Sequence, residues 1–315
     1  MKQIRLNLFS AFFVITLMMF FSCNETTKVD LPTSAVIHYS VVDKQVAFTA
    51  LTHNADSWLW DFGDGETSTE KNPVHVYADG GYYTVTLTVT GGTGTADDES
   101  KLAVVLTPYV LLTGGPTAVN GKTWKLTASH TSSGDYFANA DAELTAIDGV
   151  PAPLPDGVFD LLLDMGEVYQ DKFTFHFDGS YSHDVMDDGA AFGGMVYQVV
   201  LNGGVDLVNT NGIDFGLCTA KYTPESGATF TFVENEDIEV SSVYSGTGVI
   251  TFSNVSTLDF SGTEFVGFRD FQQKVIVQKL TDSSMKIVMF MAAGQDPSII
   301  GFNTHALVLS FEVVS

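Results

Sequence analysis

The sequence predicts an all-β protein of two folded units, and three observations carry that reading. Apolar and polar side chains alternate at period two, most clearly at Tyr83, Val85, Leu87 and Val89 with Thr84, Thr86 and Thr88 between them, which turns one face of a strand toward a core. Glycines and turn dipeptides punctuate such runs throughout, 29 Gly and 9 Pro in all, so the strands are short and closely spaced. No helical period competes over a useful length, apart from a turn around Val158 to Leu163. At roughly 100–200 residues per domain, a chain of 315 residues supports two cores.

Composition excludes whole classes of partner. Lys and Arg total 14 against 38 Asp and Glu, a net charge of −24, so nucleic acid is not a partner, and an anionic polymer is repelled unless calcium bridges it. No cofactor is expected, with calcium alone left open. Two cysteines can form at most one bridge, so stability must come from packed β layers.

Residues 1–22 carry Lys2 and Arg5, then an apolar run from Leu6 to Phe21, then Ser22 before Cys23. This is the pattern of a signal peptide. The run is short for a hydrocarbon layer of ~30 Å. Phe20-Phe21-Ser22-Cys23 resembles a bacterial lipobox, although Phe20 stands where that pattern usually has Leu. The resemblance implies that Cys23 is acylated, with palmitate-type chains, and becomes the first residue of an outer-membrane lipoprotein facing the cell surface and held by lipid alone. Ordinary secretion with Cys23 unmodified is the alternative. Cys218 is then a lone thiol, read as a small buried hydrophobe. Residues 23–33 are polar and read as a flexible tether.

The first unit spans residues 34–106. Strand patterns lie at Ala35 to Tyr39, Lys44 to Ala50 and Tyr83 to Val89, and Trp58, Trp60 and Phe62 share one parity, which directs three rings to one core. Gly63-Asp64-Gly65 supplies a turn. This strand density suggests a small antiparallel sandwich of immunoglobulin type. Trp60-Asp61-Phe62-Gly63-Asp64-Gly65, then Asn72-Pro73, His75-x-Tyr77 and Gly81-x-Tyr83-x-Val85-x-Leu87-x-Val89, resemble the PKD (polycystic kidney disease) domain family. That family implies an Ig-like sandwich serving as a spacer or interaction module. Asp61, Asp64 and His75 are read as hydrogen-bonding turn residues rather than as metal ligands.

Residues 107–121, with Gly114-Gly115-Pro116, read as the connection. The second unit, residues 122–315, shows strand patterns at Thr123 to Thr127, Lys172 to Phe177, Ser180 to Asp184, Met195 to Leu201, Ala228 to Val233, Gly248 to Ser253, Lys274 to Leu280, Met285 to Met291 and Ala306 to Val313. These predict a larger β-sandwich or jelly roll, with a lipocalin-like barrel as the alternative.

Candidate contacts come from two places. Asp178-Gly179 reads as a two-residue turn, which pairs His176 with Tyr181 and Thr174 with His183, placing His176, Tyr181 and His183 opposite Phe173, Phe175 and Phe177 on an outer face. A zinc reading would add Asp184, Asp187 or Asp188 to the two histidines, but Asp184 has the parity of the phenylalanines. Tyr136 and Phe137 sit in residues 128–170, which lack clear strands; a connection this long is unusual unless it forms a functional surface. Glu234 to Glu239 resembles the carboxylate strand of laminarinase-type glycoside hydrolases, yet Glu234 and Glu236 share parity with Ile238 while Asp237 and Glu239 do not, so no triad forms.

The lipobox, the single PKD module, Gly121-Lys-Thr-Trp-Lys-Leu126 and the Phe-Thr-Phe-His hairpin together resemble PKD-bearing surface lipoproteins of Gram-negative glycan degraders. That resemblance implies a non-catalytic accessory protein that binds a polysaccharide or oligosaccharide beside an outer-membrane glycan transporter; the acidic charge favours a neutral one, and position makes Tyr136, Phe137, His176, Tyr181 and His183 the candidate contacts. Two alternatives stand beside it: a structural or adhesive surface protein that binds another protein, and a glycoside-active enzyme with carboxylates from separate strands.

Overall fold

A computed structural model describes residues 31–314. Cys23, the signal segment and most of the tether lie outside the described residues. The first seven strands are β1 (Ser34–Val42), β2 (Gln45–His53), β3 (Ser57–Asp61), β4 (Thr67–Ser68), β5 (Val74–Val76), β6 (Gly81–Gly91) and β7 (Gly94–Val104). They form two facing antiparallel sheets, β1-β2-β5 and β4-β3-β6-β7. Between them Val46, Phe48, Trp60, Phe62, Tyr77, Tyr83, Val85, Leu87 and Val89 are buried as one core, as the period-two pattern of β6 requires. Trp58 packs against this core from its edge, half-buried under the Lys71 ammonium. The Gly-rich turn is tied by its own acids: Asp61 accepts from the Gly63 N–H at 2.9 Å and Asp64 from the Glu66 N–H at 3.0 Å.

The connection is a built element. Helix α1 (Pro108–Thr113) starts at Thr107, whose hydroxyl accepts from the Val110 N–H, and ends at Gly114 in the left-handed region. Leu112 is buried, and its carbonyl accepts from the Trp124 indole at 2.9 Å. Across the junction Tyr82 donates to the Asp282 carboxylate at 2.8 Å, Lys122 donates to the Asp282 carbonyl at 2.6 Å, and Thr117 donates to the Tyr82 carbonyl at 2.5 Å. The two domains are thereby joined at a polar seam.

The second domain comprises β8 (Lys122–Leu126), α2 (His130–Ser133), β9 (Tyr136–Asn139), α3 (Val158–Leu161), β10 (Lys172–Phe175), β11 (Tyr181–Asp184), β12 (Ala190–Gly194), α4 (Met195–Asn202), β13 (Leu207–Asn209), β14 (Leu217–Lys221), β15 (Phe230–Ser241), β16 (Val249–Phe260), β17 (Val275–Leu280), β18 (Ser284–Met291) and β19 (His305–Val313). Nine of these strands make one sheet, β11-β10-β8-β19-β18-β17-β16-β15, with β9 also on β19. Strands β15 to β19 follow one another as a meander, and β19 returns to β8. The sheet curls until its ends meet at a bridge between Ser180 and Thr229. Its strand order is that of an up-and-down barrel, while β12-β14-β13 forms a second, three-stranded sheet whose Phe192 and Leu217 join the main core.

Each face of the curled sheet carries a core. Trp124, Phe173, Phe175, Leu258, Ile287, Leu309 and Phe311 belong to the larger one. Ala138, Val240, Phe252, Ile276, Val288, Phe290 and Val308 form a second on the opposite face. Strands buried on both faces read as continuous apolar runs, as in β18.

The strand expected at Met195 to Leu201 is instead helix α4. Its β-branched valines mimic a strand composition, but Gly203 in the left-handed region closes the helix by donating its N–H to the Gln198 carbonyl, and Met195, Tyr197 and Gln198 are buried. Tertiary packing overrides the local preference. Strands β9, β12, β13 and β14 escaped the sequence reading; every residue of β12 is buried, so it shows no alternation.

Candidate functional site

The hairpin places its residues differently from the expectation. The Gly179 N–H donates to the His176 carbonyl at 3.1 Å, and the His176 N–H donates to the Ser180 carbonyl at 3.0 Å. With Gly179 at φ 87°, this is a three-residue loop closed by a glycine bulge rather than a two-residue turn. The register therefore slips by one: Phe175 pairs with Tyr181 and Phe173 with His183. A one-residue slip exchanges the faces of a strand. Tyr181 and His183, expected outside, are 4% and 6% exposed and pack on the phenylalanines, Phe173 lying 4.6 Å from the His183 ring. Neither can contact a sugar. The slip also dissolves the zinc reading, because His183 points inward while Asp184 is exposed.

His176 remains half-buried beside Gly121. Tyr136 and Phe137 lie on β9 rather than in an irregular segment, paired with Val308 and Leu307. Tyr136 turns to the smaller core and Phe137 to the larger. Along β19, Leu307 opposes Phe137 and Val313 opposes Trp124, so the Phe137 and His176 ends are separated by about 20 Å of strand. The five expected contacts do not converge.

A cleft of about 700 Å³ opens at the Phe137 end instead. Val196, Val199 and Val200 of α4 form one wall, Ile213 to Gly216 another, and Met291, His305 and Leu307 the floor toward the sheet. Val199, Val200, Ile213 and Phe215 are exposed, an apolar concentration of the kind that marks a binding surface. Asp214, Gln295 and His305 are the polar side chains of this lining with hydrogen-bonding groups. Burial lowers the His305 pKa, favouring the neutral imidazole, and Thr304 Oγ1 lies 2.8 Å from its Nδ1. A side pocket of about 160 Å³ shares Phe137, Val150 and Phe215 with the cleft. Sequence reasoning found only Phe137 of this site. The signal for the rest was the spacing of Val196, Val199 and Val200, which is i, i+3, i+4 and thus helical.

Two other clusters of titratable groups, at His130–Asp135 and His183–Glu264, are sealed from solvent. Asp135 accepts from the Ser310 N–H at 3.0 Å and from the Ser310 hydroxyl at 2.6 Å; it lies 2.8 Å from His130 Nδ1, and His130 Nε2 lies 2.8 Å from the Tyr169 hydroxyl. Asp135 and His130 are fully buried, so this relay anchors residues 128–170 and meets no substrate. His183 Nδ1 stands 3.6 Å from Glu264 with both side chains fully buried. Glu236 is held by Lys274 at 2.7 Å and by the Thr257 hydroxyl, which lowers its pKa. Asp237 accepts from the Asn254 N–H at 2.9 Å. These two acids of the Glu234–Glu239 run serve the β15–β16 hairpin.

Residues 32–106 match the PKD domain family model. The pre-pro-metalloprotease PrtV of Vibrio cholerae is 38% identical over 96 residues, 30% of this chain and 10% of the protease. The crystal structure of its PKD1 domain aligns at 34% identity over 24% of this chain and 98% of that domain, with a TM-score of 0.23. Collagenase ColA of Bacillus cereus is 53% identical over 49 residues, 16% of this chain and 5% of the collagenase. The chain thus spans a tenth or less of these curated relatives. A structure described as a carbohydrate-binding module of the β-sandwich superfamily aligns with 91% of this chain at 14% identity and a TM-score of 0.25, too slight a likeness to carry an argument. The two facing sheets, the aromatic core, the acid-tied Gly-rich turn and the family match agree: residues 32–106 are a PKD domain.

Proposed function

We propose that the chain is a non-catalytic binding protein of the cell surface. In this reading Cys23 carries the lipid that holds it to the outer membrane, the PKD domain spaces the second domain from that membrane, and the second domain takes a neutral glycan in the cleft at Phe137. The observation that carries the reading is the composition of the cleft. The rings of Phe137 and Phe215 offer faces for the apolar side of a pyranose, and Asp214, Gln295 and His305 offer donors and acceptors for hydroxyls. Asp214 is the cleft's one carboxylate, whereas glycoside hydrolysis ordinarily uses two, which supports binding without cleavage. The net charge of −24 favours an uncharged ligand.

A glycan array probed with the chain from Thr33 onward tests this, followed by calorimetry on the parent and Phe215→Ala. Phe215 is 50% exposed, so its truncation should leave the fold intact while costing about 1 kcal/mol or more of binding. An array without hits removes the glycan reading; reducing ends released by the parent would move it to the enzyme class. Labelling with a fatty-acid analogue tests Cys23 separately.

One observation favours the adhesive alternative. Val36 and Leu51 pair across β1 and β2, and Val74 and Val76 stand on the neighbouring β5, all exposed. This open apolar face suits a protein partner, including an outer-membrane glycan transporter. Replacing Leu51 and Val76 with Lys should abolish such a complex in pull-downs and leave glycan binding unchanged.

A further inference from the structure

Resting on the glycan reading of the cleft, we propose that the ligand is a neutral saccharide carrying small O-alkyl or O-acyl substituents, and that the side pocket receives one of them. The pocket shares Phe137, Val150 and Phe215 with the cleft, so a group bound in one adjoins a group bound in the other. The rest of its wall comes from Gly149, the prolines Pro151 and Pro155, and Leu154, Val158 and Leu162 among other apolar residues. No lining side chain can form a hydrogen bond. A sugar hydroxyl pressed into it would leave its water partners and find no side chain to replace them, whereas a methyl or acyl group meets only hydrocarbon.

Size narrows the substituent. At about 30 Å³ for each water-sized group, a volume of about 160 Å³ admits roughly five heavy atoms. That accommodates methyl, acetyl and butanoyl groups, whereas a longer acyl chain would run out of it into solvent. Charged substituents are disfavoured as well, because the surroundings lack a basic group among the lining residues and the whole chain is acidic. Leu162, 70% exposed, stands at the opening of the pocket, so the group can enter from solvent without unfolding the core.

The test titrates xylo-oligosaccharides and glucomannan oligosaccharides, each in O-acetylated form and after alkaline deacetylation, against the full chain and against Leu162→Trp and Val158→Phe. The first variant places a ring over the opening at an exposed position, and the second fills the pocket from within. The expected result is at least one pair whose acetylated member binds tenfold or more tighter than its deacetylated partner. In both variants that ratio should fall to within twofold, with the deacetylated affinity unchanged. Equal or tighter binding of deacetylated material overturns the pocket assignment and leaves glycan binding in the cleft standing. A preference for acetyl groups that survives both variants overturns its location. Failure of all four preparations to bind overturns the substituent proposal, while the glycan array decides the underlying reading independently.

Discussion

The two domains distribute polar and apolar side chains in opposite ways. In the PKD domain, Phe48, Trp60, Phe62, His75, Tyr77 and Tyr83 form one continuous column of rings, with Phe62 and His75 stacked at 4.1 Å. Asp64 sits in the Gly-rich turn, Asp97 to Glu99 line β7, and the domain's exposed valines lie on an open sheet. The second domain buries His130, Asp135, Asp171, His183, Glu264 and Asp270 and exposes Val199, Val200, Ile213 and Phe215 around a cavity. Buried charge and concentrated exposed hydrocarbon are the departures that need a reason. Among the described residues, the second domain is the one in which buried carboxylates and exposed hydrocarbon accompany a cleft, and the proposal that it captures ligand rests on that combination.

The sharpest way to break the contrast is through the cores. Trp60→Ala removes a fully buried ring from the PKD column and should cost ~3–5 kcal/mol. Domain-resolved melting should show the PKD transition lost and the second domain's retained; loss of both together would mean that the two cores are one cooperative unit. Asp135→Ala strands the buried His130 and removes the acceptor for Ser310. It should lower the second domain's stability by about 3 kcal/mol and leave the PKD transition in place.

Acidity should separate the domains next. Burial pushes Asp171 up to about 8, with Asp188, Asp184 and Glu167 adding to the rise, and burial pushes Asp270 up to about 7. The folded form binds these protons more tightly than the unfolded chain, so the stabilisation is complete below about pH 4 and is lost as pH rises through 7 to 8. The second domain's stability should therefore fall between pH 5 and 8, by about 1.4 kcal/mol per pH unit for each of the two carboxyls still protonated in the fold, and Asp171→Asn should roughly halve the slope below pH 7. An unchanged slope in that variant would remove Asp171 from the account. Smallest is Tyr181→Phe, which deletes a 2.5 Å hydrogen bond to the Phe265 carbonyl and should cost about 1 kcal/mol with no change in ligand affinity. Weakened binding at constant stability would return Tyr181 to the site.

The PKD domain was legible because its determinants are local. The parity of Tyr83 to Val89 and the acids of the Gly-rich turn act within a few residues of themselves, and Asp61, Asp64 and His75 serve the turn and core as expected. The meander from β15 to β19 was legible for the same reason. The cleft was not, since Phe137, α4, Ile213 to Phe215 and His305 meet only through tertiary folding, and the valines of α4 read as a strand. Tyr181 and His183 were misplaced by one loop residue: Gly179 at φ 87° supports either turn, and Asp-Gly alone does not fix the loop length.

The seam at Tyr82, Thr117, Lys122 and Asp282 bears on the thermodynamics of capture. Two domains joined by a loose hinge would have to freeze that hinge whenever a long polymer lay across both, and the lost freedom would subtract from affinity. Here hydrogen bonds bridge the joint, so a polymer bound as proposed across both domains would have less of that freedom left to freeze. The same bonds would hold the cleft at one angle to the PKD domain, so the proposed polymer would have to meet that angle or break them.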